Sequence, residues 1–103
     1  CSPGTEVDIN GSQAVNHCIS SSSNTYHNDD WISVEFLVFS DSIVHQIIER
    51  DTVISYSNIR LGGTYLSDNF TDKIDQPLKE GYISLQSEGH PIEFRNIKIK
   101  VFD

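Results

Sequence analysis

The chain is short of positive charge. Seven Lys and Arg stand against 15 Asp and Glu, a formal net charge of −8, so phosphate backbones and anionic membranes repel this surface rather than steer toward it. Nucleic acid is not expected as a partner. Long apolar runs are missing too: nothing approaches about 18 consecutive apolar residues, so no membrane span is read. Cys1 is not followed by a charged region and an apolar run, so no signal peptide is read either, and the expectation is a mature or trimmed form. No stretch joins apolar spacing of three and four residues to capping signals, which predicts essentially no helix. A Gly-rich phosphate loop, a His-Glu-x-x-His pair and a Gly-x-Ser-x-Gly elbow are all lacking, which leaves nucleotide, zincin and serine-hydrolase chemistry unsupported. Cysteine is scarce, and without a Cys-x-x-Cys the pair is a weak metal signal.

What remains is a β pattern in a chain of 103 residues, at most one small domain with little core to spare. Cys1 and Cys18 enclose a short loop in a Ser- and Asn-rich setting, which suggests a disulfide in an oxidising compartment, with two free thiols as the alternative. Thr5 to Ile9 alternates weakly, and Asn10-Gly11 signals a type I′ turn, so a first hairpin is expected to run back through Ala14, Val15 and Cys18. Ser20 to Asn24 reads as a polar loop. Trp31 to Phe39 is the clearest strand, with Ile32, Val34, Phe36 and Val38 on the face expected to be core. Turns at Ser40-Asp41-Ser42 and Arg50-Asp51 separate it from strands at Ile43 to Glu49 and Thr52 to Tyr56, an antiparallel meander. Asn58 to Lys79 has little periodicity and reads as a long loop bordering a cleft. Asn10-Gly11-Ser12 and Asn69-Phe70-Thr71 match glycosylation acceptors, which matter only in a eukaryotic secretory context.

The last twenty residues carry the most specific pattern: Gly81-Tyr82-Ile83-Ser84-Leu85-Gln86, a polar Gly-containing turn, then Ile92-Glu93-Phe94-Arg95-Asn96-Ile97 running on to Val101. Read locally it is two strands joined by a tight turn. Ile92 and Phe94 have the opposite parity from Ile97, Ile99 and Val101, so a β-bulge near Arg95-Asn96 is expected. This pattern strongly resembles the end of the 3-keto-disaccharide hydrolase domain family. Tyr26 to Glu35 resembles the family's entry into a central strand, and His17 to Ser21 resembles a preceding strand end, so the resemblance covers roughly residues 13 to 103. It implies an all-β, antiparallel, concanavalin-like sandwich on secreted, periplasmic or cell-surface bacterial proteins that act on sugars. The family's sandwich is nearly twice this length and the matching residues fall in its second half, so residues 1–103 are expected to form a single partial domain of five to seven strands. One sheet face would then be bare unless an upstream segment of the same domain or a second copy covers it.

The family name implies a ketone at the third sugar carbon, which acidifies the hydrogen on the second. A base removes that hydrogen, an acid protonates the leaving glycosidic oxygen, and water then adds. No cofactor is expected beyond fixed donors or a divalent metal to hold the enolate. His27 with Asp29 or Asp30 is the candidate cluster, since a carboxylate beside an imidazole orients it and raises its basicity; the plain alternative is a turn with His27 solvated. His90, at the hairpin tip, is either a second acid or merely exposed, His17 is similarly open, and His45 is either a satisfied core-edge residue or a cleft residue. Tyr82, Gln86 and Glu88 share a strand face that is either a saccharide-binding side or a solvated one. Trp31 or Tyr82 would stack on a pyranose, while Gln86 and Arg95 bind hydroxyls or tie strand ends. A noncatalytic carbohydrate-binding module and a structural module of a surface complex are rivals, because fold does not fix chemistry.

Overall fold

The computed structural model describes residues 1–40 and 43–102. Five strands form one antiparallel sheet: β1 (Thr5–Ile9), β2 (Ser12–Gln13), β3 (Val34–Phe39), β4 (Ile43–Ile48) and β5 (Asp51–Leu61), in the order β2-β1-β5-β4-β3. A single 3-10 helix, Asp68–Lys73, follows. The all-β class and near-absence of helix agree with the sequence pattern, and the described residues build one layer.

The turns show why the strands pair where they do. Asn10 and Gly11 have φ of 52° and 81°, the two positive values a type I′ turn requires, and they bring Ile9 opposite Ser12. Pairing ends at Gln13, so the hairpin is shorter than expected; Val15 is 97% exposed, and Cys18 is held by its disulfide with Cys1 rather than by a ladder. The β4–β5 connection is Glu49-Arg50, one residue earlier than read from sequence, with φ of 48° and 73°. Both residues carry a Cβ in the left-handed region, which costs about 1–2 kcal/mol each. Glu49 recovers part of this, because its carboxylate accepts the Ser33 amide at 2.6 Å and its own amide donates to the Ser33 carbonyl at 3.0 Å. Of the expected Ser40-Asp41-Ser42 turn, Asp41 and Ser42 lie outside the described residues; Ser40 has φ of 52°.

Cross-strand rows assign the faces, since successive side chains alternate. One face carries Val38, Val44 and Tyr56 in a row, then Phe36, Gln46 and Ile54. The other carries Phe39, Ile43, Ser57, Asp8 and Gln13, then Leu37, His45 and Ser55. Only Val7, Val44 and Val53 are buried. The expected core set of β3 is therefore corrected: Val34, Phe36 and Val38 share a face, but they are 53%, 59% and 54% exposed because no second layer lies on them, and only Ile32 is half-buried.

Two further expectations change. The region from Asn58 on is not all loop: β5 continues to Leu61 beyond a left-handed Asn58 (φ 51°), which sits at the register shift against β1. The chain then returns so that Asp75 and Leu78 amides donate to Leu61 and Ile59 carbonyls. The closing hairpin is the larger correction. Residues 81–102 turn at Gly89 (φ 76°) but form no ladder, and all of them are exposed. The expected bulge has no partner strand beside it, although Asn96 (φ 56°) places a backbone kink where the parity changes.

Replacing Val44 with Ala should cost about 2 kcal/mol in urea unfolding, from two buried methyl groups and the cavity left behind, whereas Val15→Ser should stay within about 0.5 kcal/mol. Arg50→Gly should raise stability by about 1 kcal/mol in the same assay, the relief of a left-handed Cβ less the added chain entropy.

Candidate functional site

The polar face of the sheet assembles first. Glu6 and Asp8 flank buried Val7, so the strand period puts both carboxylates on one side, where Arg60 of β5 meets them. Its guanidinium donates to Asp8 Oδ1 at 3.1 Å, to the Asn58 carbonyl at 2.8 Å and to Gln13 Oε1 at 2.9 Å, with Nε 3.7 Å from Glu6. Asn58 adds a bond to Asp8 Oδ2 at 2.9 Å. That hydrogen bond, followed by the Arg60 contact, holds the Asp8 carboxyl below its ordinary value despite some desolvation. Gly62 and Gly63 leave room for Glu6: a Cβ on Gly63, itself at φ 72°, would stand 3.1 Å from Glu6 Cγ. Arg60 has its donors engaged, so this cluster is a clamp tying β2, β1 and β5 together, with little left to offer a ligand. Sequence reading missed it because Arg60 fell in a segment taken as loop; the Glu6-Val7-Asp8 alternation was the available signal.

Farther along the same face, His45 Nδ1 lies 2.6 Å from Ser55 Oγ, and its ring meets Phe39 edge-on at 5.9 Å. His45 is thus half-buried and oriented, the satisfied sheet histidine of the two readings. His17 is fixed too, its ring edge-on to Tyr65 at 5.4 Å and its carbonyl accepting from the Ser2 amide at 2.7 Å.

The expected site residues lie elsewhere, in the loop entering β3 and in the C-terminal segment. Arg95 stacks over the half-exposed Trp31 ring at 3.9 Å, a cation–π contact that ties the two segments together. Gln86 Nε2 donates to Glu88 Oε1 at 3.1 Å, and Ser87 Oγ donates to the His90 carbonyl. Tyr82 is fully exposed. With no strand at 81–102, Tyr82, Gln86 and Glu88 do not share a sheet face. His27, Asp29 and Asp30 are exposed, and no hydrogen bond among the described residues joins the imidazole to either carboxylate. Two open grooves of about 340 and 330 Å³ flank the first hairpin, and none of His27, Asp29, Trp31, Tyr82, Gln86, Glu88, His90 or Arg95 lines them. Among the described residues no cluster of three or more His, Cys, Asp or Glu is placed to hold a metal ion, and no helix is long and apolar enough to cross a membrane.

Residues 4–100 match the family model of the 3-keto-alpha-glucoside-1,2-lyase-like domain. The chain belongs to this family. The match to the lyase-like domain begins upstream of the segment that carried the sequence resemblance and takes in β1, β2 and the Arg60 clamp. No curated protein and no solved structure matches the chain. The Cys1–Cys18 disulfide of this lyase-like domain is formed and is compatible with an extracellular location.

Because the Asp8 carboxyl titrates below its ordinary value of 3.8 when folded, its stabilisation is present above that value and is lost as pH falls through it and lower. Thermal unfolding from neutral pH downward should show this acid limb, and Asp8→Asn should flatten it while lowering stability at neutral pH.

Proposed function

We propose that this domain takes part in cleaving 3-keto-glycosides by elimination and hydration, in an oxidising compartment outside the cytoplasm. The observation that carries the reading is family membership over residues 4–100. In a 3-keto-glycoside the C2–H bond is weakened because the resulting carbanion is an enolate of the C3 ketone. A base takes that proton, the electron pair forms the C1–C2 double bond, and the glycosidic oxygen leaves with a proton from an acid. Adding water across the same bond restores the 3-keto sugar, so the net change is hydrolysis.

His27 is proposed as the base, with Asp29 orienting it, and His90 as the acid to the leaving oxygen. Trp31 and Tyr82 offer stacking surface to the pyranose, Gln86 and Glu88 offer hydrogen bonds to hydroxyls, and Arg95 offers positive charge to the enolate oxygen. Support comes from the Trp31–Arg95 stack, which holds the loop bearing His27 and Asp29 against the C-terminal segment.

A noncatalytic carbohydrate-binding module is the second reading. It is favoured by one specific observation: exposed His27 makes no hydrogen bond to Asp29 or Asp30 among the described residues.

Incubating the protein with a 3-keto-glucoside and with the matching ordinary glucoside separates the readings. Aglycone release from the keto substrate alone is the expected result, and His27→Ala should lower the rate at least about 100-fold, the usual scale of a general base, with an unchanged circular dichroism spectrum. Binding measured by calorimetry without release from either substrate would establish the binding module instead.

A further inference from the structure

Two unpartnered surfaces occur together. Val34, Phe36 and Val38 form an exposed apolar stripe on β3, the last strand in the sheet order. The tail from Ile92 to Phe102 carries Ile97, Ile99 and Val101 at strand spacing, all exposed, with no ladder partner. A bare stripe beside an edge strand is a template for another strand, and the tail has a strand's alternation without a sheet to join.

Charge says what the tail fits. Residues 92–102 hold three basic residues, Arg95, Lys98 and Lys100, against one acidic residue, Glu93. Residues 1–91 hold four basic against thirteen acidic residues. The tail is therefore a basic, apolar strand attached to a strongly acidic sheet. Its apolar positions would meet the β3 stripe while Lys98 and Lys100, which alternate with them, stay at the solvent side near acidic surface. Within its own chain the tail is held at Arg95 over Trp31, yet everything beyond remains exposed, so each copy presents both halves of a complementary pair at once.

We propose that two copies of this chain pair reciprocally, the 92–102 tail of each lying along β3 of the other. Such an exchange uses the same two patches on both copies and closes with two-fold symmetry. It covers the exposed apolar residues of the sheet and the tail in one step, and main-chain pairing at the β3 edge gives it direction.

Sedimentation of the full chain over a concentration series tests this. The expected species has twice the 11.6 kDa chain mass, and the double variant Lys98→Glu/Lys100→Glu should raise its dissociation constant at least tenfold. Those lysines are exposed, so the variant keeps the fold, as circular dichroism will verify; Ile99→Asp in the same exposed segment should dissociate the pair independently. A chain that stays monomeric throughout, whether its tail folds back or another segment covers the stripe, would overturn the proposal. So would a dimer indifferent to both tail variants, or open polymers in place of a closed pair.

Discussion

Alternation of side chains across a pleated strand means that every sheet has two faces, and a face rich in valine, isoleucine and phenylalanine must be taken out of water for the sheet to hold. This chain meets that constraint only in part. Three valines are buried, and the apolar side of β3 stands open. A single layer of about a hundred residues cannot bury its own interior side, because burial needs a second surface at about 10 Å. The exposed stripe on β3, the detached tail and the small core are consequences of that one missing layer.

The other face shows how a sheet with so small a core keeps its order. Register is fixed by specific polar contacts: the Arg60 clamp across β1, β2 and β5, the His45–Ser55 bond between β4 and β5, and the Glu49–Ser33 pair closing the turn end. Loops are held in a similar way. The disulfide joins Cys1 to Cys18, the Ser2 amide and hydroxyl both donate to the His17 carbonyl, and Ser22 donates twice to the Val53 carbonyl. Each contact is directional and short-range, so it specifies a register without demanding the buried area that this chain does not have. The polar face is consequently more ordered than the segments carrying the proposed acid–base residues, which lie in the β3 entry loop and the C-terminal turn. Their relation to one another rests on the single stack of Arg95 on Trp31.

Much of the fold was legible because it depends on neighbours in sequence. Asn10-Gly11 dictates a turn through the sterics of positive φ, and the alternation from Val34 to Val38 dictates a strand and names its two sides. The pattern from Gly81 to Lys100 pointed to the family. Harder to read were features that depend on a distant partner. Arg60 looked like a loop residue because nothing nearby in sequence announces Glu6 and Asp8 as its partners. Val34, Phe36 and Val38 read as core because hydrophobic character states which side seeks cover, not whether cover is present. The hairpin read at 81–101 has strand chemistry in every residue, but a strand is a relation between two segments.

The sequence by itself determined the class of the fold, the turn chemistry, the inward and outward sides of β3 and the family to which the chain belongs, since each is written in side-chain size, branching and spacing along a few consecutive residues. Tertiary structure alone decided which carboxylates share the one guanidinium, which histidine is held by a serine, that Cys1 reaches Cys18, and that the last strand-like segment has no sheet. Those outcomes turn on distances between residues far apart in the chain, and distance through space is set by how the whole backbone packs.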